Sequence, residues 1–462
     1  MKGSTRVIYQ TPQKNIIVIG GNAAGPAAAA KAKRVDSKAN VVMFEAGDFI
    51  STGTCELPYV LSNVINDYEK IVFYTPEKFE QEKGVKAFTK HRVEKINRTT
   101  KTISVRNLVS NHLIDFPYDK LVLATGSQAK RLDSLQRNIT NAFTFKTVSD
   151  LIALQKFIGP KKAKKVLVVG SGYIGLELAE ALRSLNCEVI LIDKEILPMP
   201  NAETEMRRKI LDTLLEKGIE FYGGIAQPKF HFVDDTVKSI EIDGWRKEID
   251  LVIQAIGFEP NVDLALAAKL DIGSHGGIKV DSKLRTSDAN IFACGDCIEV
   301  VNKITNRNEF IPLATFARDY GYIAGENAAG GNNFAQPVIK NISVKIFDNI
   351  FVSVGLSSNE ARLNNLRVGS LSAEAKNLVK VMPDSRTTFG NVIYELGSER
   401  ILGANFYGGN EVIGYADLIS ALILNKMKVS ELAKINYNYT PPASPFVNIL
   451  SLLGKKLEKG KK

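Results

Sequence analysis

The sequence predicts an α/β fold with more than one domain. Two stretches, residues 15–45 and 165–193, repeat one pattern: an apolar strand runs into a glycine-rich turn, a helix follows, and a second strand ends in an acidic residue. The part of the chain after Pro337 differs, because strand-like segments prevail there until a helical pattern from Glu411 to Lys426. We therefore expect two parallel-sheet units and a separate C-terminal α+β domain.

The first repeat begins with the apolar strand Ile16–Ile19 and a glycine-rich turn. An alanine-rich helix is predicted from about Pro26 to Arg34, and a second strand, Val41–Phe44, ends at Glu45. In such a unit the glycines let the backbone approach a pyrophosphate at the helix N-terminus, and the acid accepts hydrogen bonds from ribose hydroxyls. Because Asn22 replaces the middle glycine of G-x-G-x-x-G, this repeat alone only suggests dinucleotide binding.

The second repeat follows the pattern completely. The strand Val166–Val169 runs into the turn Gly170–Gly175 (GSGYIG), a helix containing Glu177 follows, and the next strand ends at Asp193. Two such Rossmann-like units imply two bound dinucleotides. Asp193 favours NADH over NADPH because a carboxylate repels a ribose 2′-phosphate, whereas Lys194 beside it leaves NADPH open.

Three short segments outside the two repeats also resemble parts of a nucleotide-binding domain. Tyr118–Ser127 and Ile249–Asn261 both read as a strand that ends in a turn of small residues, and Asn290–Asp296 is a short strand that ends in an acid. Such segments are expected where a chain leaves or re-enters a nucleotide-binding domain. These segments are therefore expected to mark where the chain leaves or re-enters the nucleotide-binding units.

A lone cysteine, Cys55, lies in the stretch Ser51–Tyr59 (STGTCELPY), soon after the first repeat. A lone cysteine is usually a small buried apolar residue. The polar residues before Cys55 and the Leu-Pro-Tyr after it, however, are typical of a loop that opens into a helix. At such a helix N-terminus the dipole favours the thiolate, the form of cysteine that acts as a nucleophile.

The other cysteines and the histidines are expected to be structural. Cys294 and Cys297 could form a redox pair, but their C-x-x-C spans Gly295 and Asp296, so we favour a packing role. Cys187, at the start of a strand, is also expected to be buried. The four histidines show no metal-ligand spacing, so no metal site is predicted.

Length and composition indicate a globular protein of two or three domains. A chain of 462 residues is too long for one core, and contents of 45% apolar and 24% charged residues are ordinary. The most apolar stretch, Ile16–Ala30, is interrupted by glycines and a proline, and the residues after Met1 do not resemble a signal peptide, so no membrane segment is expected. Four cysteines form no disulfide scaffold, so we expect a cytoplasmic location.

The net charge of +10 favours small anionic ligands such as dinucleotides or coenzyme A. No dense stripe of Lys and Arg interleaved with aromatic residues is present, so nucleic acid is not an expected partner. Five lysines and one glutamate in the tail, residues 455–462, contribute +4 of this charge, and we expect the tail to be a solvated, frayed end.

Taken together, these segments resemble the FAD-dependent pyridine nucleotide-disulfide oxidoreductases from Asn15 to about Gly454. The resemblance is to the single-cysteine branch, which has Ser-x-x-x-Cys-x-Leu-Pro-Tyr where this chain has Ser51–Tyr59. That branch contains coenzyme A disulfide reductases, persulfide reductases, NADH oxidases and NADH peroxidases. The two-cysteine branch does not fit, because Val60 stands where its second cysteine would be.

The resemblance implies a domain order and two cofactors, FAD and NADH or NADPH. The expected domains are an FAD-binding domain in two parts (1–145 and 271–335), an NAD(P)H-binding domain (146–270), a dimerisation domain (336–454) and the basic tail (455–462). The residues implied to contact the cofactors are Gly20, Gly21, Asn22, Ala24, Gly25, Glu45, Thr125, Gly126, Gly170, Gly172, Tyr173, Ile174, Gly175, Glu177, Asp193, Gly257, Gly295 and Asp296.

Further roles are implied for single residues. Tyr173 is expected beside the nicotinamide, where it could act as a gate, and Glu177 either lies near the nicotinamide or only compensates the helix dipole. Lys83 stands where the reductases have a lysine that contacts coenzyme A. Cys55 and Tyr439 are the two expected catalytic residues. Tyr439 belongs to a Tyr-x-Pro-Pro segment, which in this family reaches into the active site of the partner subunit. We therefore expect a homodimer.

Three positions depart from patterns within the branch. Ala23 stands where the oxidases and peroxidases carry a histidine that could protonate an oxygen species, which speaks against a dedicated oxygen enzyme. Glu56 follows the cysteine where a small residue is usual, and Lys380–Pro383 replaces a tyrosine pair of the reductases. Because of these last two departures, the assignment of coenzyme A disulfide as the substrate is less well supported than the assignment of flavin and cysteine chemistry.

The resemblance therefore implies a flavoprotein that passes hydride from NAD(P)H through FAD to a disulfide, persulfide or polysulfide by way of Cys55. Coenzyme A disulfide or persulfide reduction is the favoured activity, with a small thiol or sulfane-sulfur compound as the acceptor. Two alternatives stay open: an NADH oxidase that makes peroxide or water, and an NADH-binding redox sensor that turns over slowly.

Overall fold

The computed structural model describes residues 13–135, 139–161 and 163–459. Up to residue 135 the elements are β1 (Asn15–Ile19), α1 (Ala24–Val35), β2 (Asn40–Phe44), β3 (Ile50–Thr52), α2 (Leu57–Leu61), β4 (Val72–Tyr74), α3 (Pro76–Lys83), β5 (Lys86–Phe88), β6 (His91–Asn97), β7 (Thr102–Asn107), β8 (Leu113–Pro117), β9 (Lys120–Leu123) and β10 (Ser127–Ala129).

The second unit follows. Its elements are β11 (Ala142–Thr144), α4 (Val148–Lys161), β12 (Lys165–Val169), α5 (Tyr173–Ser184), β13 (Glu188–Ile192), α6 (Thr204–Glu216), β14 (Glu220–Tyr222), β15 (Lys229–Val233), β16 (Thr236–Ile242), β17 (Trp245–Glu248) and β18 (Leu251–Gln254).

The chain then returns to the first unit. The elements of this return are β19 (Phe258–Pro260), α7 (Asp263–Ala267), β20 (Ile291–Ala293), β21 (Val300–Val301), β22 (Asn308–Glu309) and α8 (Ala314–Ala328).

The C-terminal part contains longer strands. Its elements are β23 (Asn341–Ile346), β24 (Asn349–Gly355), α9 (Ser358–Leu363), β25 (Val368–Lys376), β26 (Thr387–Glu395), β27 (Ile401–Gly408), α10 (Glu411–Leu424) and α11 (Ile449–Lys459).

A five-stranded parallel sheet forms the first unit, in the order β20-β9-β1-β2-β5. The central strands β1, β9 and β20 are buried on both faces and form one apolar core with α1 and α8. These two helices pack closely: a Cβ at Gly325 of α8 would lie 2.0 Å from the Ala28 carbonyl oxygen of α1. Because β20 follows the second unit in sequence, the sheet is assembled from two separate stretches of chain.

The second unit repeats this architecture around the order β11-β18-β12-β13-β14. Each unit also carries a three-stranded antiparallel sheet, β6-β7-β8 in the first and β15-β16-β17 in the second. The chain enters and leaves the second unit through β10 and β19, which pair antiparallel with Gln128 opposite Glu259. A hydrogen bond of 2.8 Å joins the side chains of these two residues.

The C-terminal domain is an antiparallel sheet in the order β23-β24-β27-β26-β25, covered by α10 and α11. The α/β class and the additional α+β domain are confirmed. The strand β25 was not predicted, because it is an edge strand whose small and polar residues carry no clear apolar alternation. The helix α1 starts two residues before the predicted start, since a proline is tolerated in the first turn of a helix.

The prediction that the chain after Gly454 is a frayed end is wrong for residues 455–459. The helix α11 runs through Gly454, and Leu453 and Leu457, four residues apart, are buried against the C-terminal sheet. The Lys456 amine donates a hydrogen bond to the Ser372 carbonyl oxygen. The last three residues of the predicted tail, 460–462, lie outside the described residues. Among the described helices, none is long and apolar enough to cross a membrane.

Candidate active site

The first glycine-rich turn lies at the carboxyl end of β1, where backbone segments approach closely. Gly20 has a φ of +109°, and a Cβ there would lie 2.0 Å from the Ala124 carbonyl oxygen. A Cβ at Gly25 would lie 1.8 Å from the Gly20 carbonyl oxygen. Only glycine fits these two positions, and this explains the five-residue spacing of Gly20 and Gly25 in the sequence. The turn brings the start of α1 to the carboxyl edge of the sheet, where parallel sheets bind nucleotides.

Polar side chains tie this turn to the segment that carries Cys55. The Glu45 carboxylate accepts a hydrogen bond of 2.6 Å from the Gly21 backbone N–H. The Asn22 amide oxygen accepts hydrogen bonds from the backbone N–H and the hydroxyl of Thr52, at 3.1 and 2.9 Å. Asn22 departs from the glycine pattern, and in this position it holds the residues that lead to Cys55 beside the turn.

Cys55 lies in a single turn of 3₁₀-helix, Thr54–Glu56, that leads directly into α2. Its side chain is exposed and forms no disulfide. The predicted loop that opens into a helix is therefore present. The helix α2 has only five residues, with Pro58 in its first turn, so its dipole is a weak source of thiolate stabilisation.

Three carboxylates and one amine act on the Cys55 sulfur. Although solvent reaches the sulfur, the surrounding protein removes much of its hydration, and this burial is the largest cause that raises its pKa. The negative charges of Glu56, Glu177 and Asp296 raise the pKa further, and Lys146 alone lowers it. Burial and the excess of carboxylates over cations therefore favour the thiol of Cys55 in the chain by itself, and the expected thiolate stays a prediction.

Lys146 is a site residue that the sequence did not indicate. Its amine donates a hydrogen bond of 2.8 Å to the Ser127 hydroxyl, lies 3.7 Å from a carboxylate oxygen of Asp296, and sits 3.9 Å from the centre of the Phe258 ring. The Ser127 hydroxyl in turn donates to Asp296 at 2.9 Å. Burial lowers the pKa of Lys146, while the Asp296 charge raises it. No sequence motif contains Lys146, so only the folded chain shows it.

Glu177 meets Tyr59 across the contact between α5 and α2. The Tyr59 hydroxyl and the Glu177 carboxylate lie close enough for each to shift the pKa of the other. Burial, followed by the nearby charge of Glu180, raises the pKa of Glu177 to about 7. Burial and the same two carboxylates raise the pKa of Tyr59 to about 12. Tyr59 was part of the motif around the cysteine, but no role had been predicted for it.

The second glycine-rich turn reproduces the geometry of the first. Gly170 has a φ of +103°, and a Cβ there would lie 2.4 Å from the Ala255 carbonyl oxygen. A Cβ at Gly175 would lie 1.8 Å from the Gly170 carbonyl oxygen. At Gly172, by contrast, an added Cβ would meet nothing within 4 Å, so the turn faces open space at this point.

Asp193 is buried at the end of β13 and fully engaged in hydrogen bonds. One carboxylate oxygen accepts from the backbone N–H and the hydroxyl of Ser171, at 2.6 and 2.7 Å. The other accepts from the Glu195 N–H at 2.9 Å. Lys194 is exposed between them. The acid therefore shapes the glycine turn.

Tyr173, the expected gate, packs toward the C-terminal domain. Its ring centre lies 6.4 Å from that of Phe351 in β24, and its hydroxyl interacts with Ser353. Burial raises the pKa of Tyr173 far above its usual value, and the negative charge of Glu360 is a second, smaller cause of this rise. Tyr173 thus connects the second unit to the C-terminal sheet, and the gate remains a prediction.

Lys83 and Tyr439 have neighbours other than Cys55 in this chain. The Lys83 amine lies 5.2 Å from the centre of the Tyr74 ring and 3.6 Å from the Glu82 carboxylate. The Tyr439 ring is 47% exposed and packs edge-on against Phe446, with centres 5.2 Å apart. Their expected roles toward a substrate stay predictions.

The remaining cysteines are buried thiols. Cys294 and Cys297 are fully buried and not joined, and the Cys297 thiol donates to the Cys294 carbonyl oxygen at 3.2 Å. Cys187 is buried as well. The geometry favours packing over redox chemistry at all three, because burial keeps their thiols protonated.

Replacement of Glu177 by glutamine is expected to stabilise the protein at alkaline pH. The folded state raises the pKa of Glu177 from 4.5 to about 7, so the contribution of this group to stability is complete below pH 4.5 and is lost as the pH rises through about 7. At about pH 8.5 the variant should therefore be more stable by up to about 3 kcal/mol, and near pH 4.5 the difference should vanish. Thermal unfolding of both proteins across pH measures this, and a constant difference would contradict it.

Comparison with known proteins agrees with this geometry. Residues 14–319 match the model of the pyridine nucleotide-disulphide oxidoreductase family. The chain is 30% identical over 438 residues to an NADH oxidase of Methanocaldococcus jannaschii, covering 94% of this chain and 97% of that one. It is 29% identical over 442 residues to a coenzyme A disulfide reductase of Staphylococcus aureus, covering 96% of this chain and 99% of that one.

The fold also matches a solved structure along its length. An NAD-dependent persulfide reductase from A. fulgidus superposes with a TM-score of 0.92 at 30% identity, over 97% of this chain and 83% of that one. The family model covers more than half of the chain, and relatives with the names given above extend the similarity to nearly all of it. The chain therefore belongs to the pyridine nucleotide-disulphide oxidoreductases, as an FAD- and NAD(P)H-dependent oxidoreductase of the group that contains coenzyme A disulfide reductases, persulfide reductases and NADH oxidases.

Proposed function

We propose that this protein reduces a disulfide, persulfide or polysulfide with electrons from NAD(P)H, and that Cys55 is the residue that meets the sulfur acceptor. The observation that supports this most is the position of Cys55: an exposed, unpaired thiol, linked to the first glycine turn by way of Thr52 and Asn22. Coenzyme A disulfide or persulfide is the acceptor class we favour, in agreement with the names of two relatives.

The residues fit both cofactors. Gly20 and Gly25 in the first unit, and Gly170 and Gly175 in the second, shape turns that a side chain would fill, as in a cradle for a pyrophosphate. Open space lies beside Gly126, Gly172 and Gly257, where an added Cβ would meet nothing within 4 Å. We propose that the first unit, together with Asp296, holds FAD and that the second holds NAD(P)H.

In the proposed reaction the two bound cofactors supply the donor and the acceptor of the hydride. The residues of the chain position them and handle the sulfur. Lys146 neutralises Asp296 and Ser127 joins the two, so the wall of the site next to Cys55 is held by fixed polar contacts. The Cys55 thiolate would attack the acceptor and release one thiol.

Further proposals concern substrate and assembly. Lys83 would bind an anionic part of the substrate, since it is a cation at the end of α3. It lies close to β4, which pairs with β3, and these two strands flank the Cys55 segment in sequence. The exposed Tyr439 and Phe446 would pack against a second copy of the chain in a homodimer, and Tyr439 would reach its active site.

A second candidate function is the reduction of oxygen by NADH. The similarity to the Methanocaldococcus jannaschii relative supports it, since that protein is named an NADH oxidase. The absence of a histidine at Ala23 speaks against it, because no imidazole stands there to protonate an oxygen species. A slow redox sensor is a third candidate, which Glu56 supports by raising the pKa of Cys55.

Anaerobic consumption of NADH with a series of acceptors tests the proposal. The purified yellow protein would be given coenzyme A disulfide, then coenzyme A persulfide or polysulfide, with oxygen alone in a parallel reaction. Turnover of a sulfur acceptor supports the proposal. Turnover with oxygen alone would replace it by the oxidase, and reduced flavin that persists in air without turnover of any acceptor would replace it by the sensor.

Replacement of Asp193 by alanine is expected to change the choice of coenzyme. The substitution removes the acceptor of the Ser171 and Glu195 hydrogen bonds and also a negative charge at the ribose position. Affinity for NADH should fall about tenfold, whereas affinity for NADPH should fall less or improve. Binding titrations with both coenzymes measure the ratio. Lys194→Met is the control and should weaken NADPH only, while an unchanged ratio in Asp193→Ala would contradict the prediction.

A further inference from the structure

The β13–α6 loop, residues 194–203, begins directly after the buried acid Asp193. In a unit of this kind the adenosine half of a dinucleotide lies at the end of the second strand, where the acid meets the ribose. The loop therefore borders the place where the adenosine half would bind. Its side chains Lys194 and Ile196 are exposed, whereas Met199 is buried in the core of the unit.

Arg207, the fourth residue of α6, holds the middle of this loop. Side chains of a helix tilt toward its N-terminus, so Arg207 reaches back over the residues that precede α6. Its Nε donates a hydrogen bond of 3.0 Å to the Pro198 carbonyl oxygen, and its Nη2 donates to the Leu197 carbonyl oxygen. The same Nη2 lies 4.0 Å from the Glu195 carboxylate. A helix dipole disfavours a cation near the N-terminus, and these three acceptors offset that effect.

The backbone that follows these carbonyl groups is strained and contacts the second glycine-rich turn. Met199 has a φ of +53°, a left-handed conformation that residues other than glycine rarely adopt unless their surroundings hold them in it. The Met199 N–H donates a hydrogen bond of 3.0 Å to the Ser171 carbonyl oxygen, and Ser171 donates in turn to Asp193. Arg207 is therefore linked through the loop to the turn and to the acid.

Other contacts hold the two ends of the loop. Near its start the Glu195 carbonyl oxygen accepts a hydrogen bond of 3.1 Å from the Gly224 N–H. At its end the Glu203 carboxylate accepts one of 2.7 Å from the Ser358 N–H of the C-terminal domain. With both ends fixed in this way, a change at Arg207 acts on the middle of the loop and leaves its connections to the rest of the fold in place.

We propose that Arg207 is a positioning residue for the adenosine half of NAD(P)H. By binding the Leu197 and Pro198 carbonyl oxygens, it keeps the loop and the glycine turn beside it in the form that receives the coenzyme. Its side chain is only 16% exposed and its donors face the loop, so it acts through the loop and not as a partner of a phosphate. This inference rests on the proposal that the second unit holds NAD(P)H, and it adds a residue outside the glycine motif.

Two hydride donors that differ only in the adenosine half test the inference in the holoprotein. NADH carries this half, and reduced nicotinamide mononucleotide lacks it. The dissociation constant for NADH, titrated into protein whose flavin has first been reduced with dithionite, should rise about tenfold in Arg207→Met. The second-order rate constant for bleaching of oxidised flavin by the mononucleotide should stay within about twofold, because this donor makes no contact at the β13–α6 loop.

Arg208→Met is the matched control. It removes the same charge from the neighbouring, exposed position of α6, so the dissociation constant for NADH should stay within about twofold of the wild-type value. Arg207→Lys keeps the charge but lacks the planar group that binds two carbonyl oxygens, and its loss should lie between those of the two methionine variants. Tryptic cleavage after the exposed Lys194 gives a second readout, since it should be faster in Arg207→Met than in Arg208→Met.

The outcomes separate this inference from the proposal on which it rests. Equal losses with both donors in Arg207→Met, or equal losses of NADH affinity in Arg207→Met and Arg208→Met, would overturn the positioning role. A loss confined to NADPH would also overturn it, because Arg207 would then bind the 2′-phosphate itself. No binding of NADH by the wild type would overturn the proposed placement of the coenzyme. Arg207→Lys keeps the test decisive if Arg207→Met fails to fold.

Discussion

Replacement of Cys55 by serine is expected to abolish the reduction of sulfur acceptors, with a loss of about 10³-fold or more in turnover. A serine hydroxyl does not form the mixed disulfide that the proposed reaction requires. Because Cys55 is exposed and serine has nearly the same shape, the fold and the cofactor content should not change. The measurement is anaerobic oxidation of NADH with coenzyme A disulfide or polysulfide as the acceptor.

The same variant carries its own control. Bleaching of the yellow flavin colour by NADH should proceed at the wild-type rate in Cys55→Ser, because it precedes any sulfur chemistry. Cys187→Ser should keep sulfur reduction, since that buried thiol lies in the core of the second unit. Wild-type turnover of a sulfur acceptor by Cys55→Ser would show that the proposed mechanism is wrong.

Replacement of Gly175 by alanine is expected to weaken NAD(P)H binding strongly while the protein keeps its flavin. The new Cβ would lie 1.8 Å from the Gly170 carbonyl oxygen, so the start of α5 would have to move away from β12. Such a shift of backbone against backbone costs at least about 1–3 kcal/mol, and it displaces the turn that cradles the pyrophosphate. We expect the dissociation constant for NADH to rise about 10²-fold, as measured by titration.

Gly25→Ala makes the equivalent change in the first unit, where the Cβ would lie 1.8 Å from the Gly20 carbonyl oxygen. It should cost flavin rather than NADH, and the visible absorbance per protein shows which cofactor is lost. Gly414→Ala is the neutral control, because its Cβ would meet nothing within 4 Å inside α10, and alanine should stabilise this helix by about 0.5–1 kcal/mol. Normal NADH binding by Gly175→Ala would contradict the prediction.

The two glycine turns could be predicted from the sequence because each requirement is local. Gly170 and Gly175 are five residues apart, and the clash that excludes a side chain at one involves the carbonyl oxygen of the other. The apolar strands that flank them are equally local signals. The same reasoning located Cys55, whose loop and helix adjoin the first repeat.

The surroundings of Cys55 could not be predicted, because they come from distant segments. Lys146, Glu177 and Asp296 act on its sulfur from three separate parts of the chain. Both the burial of the sulfur and the sum of these charges, which together set the pKa of Cys55, become visible only after folding. The helix α11 was missed for a related reason: its lysines dominate the composition of the tail, whereas Leu457 finds its partners on a sheet formed far earlier in the chain.

The pairing of β10 with β19 brings the two ends of the second unit next to each other. Where Gln128 lies opposite Glu259, the outgoing and returning chains are neighbouring strands, about 5 Å apart. A module whose two ends adjoin can be removed or exchanged without stretching its host. Grafting a unit of different coenzyme preference between these two strands would therefore leave the chain connections of the first unit intact.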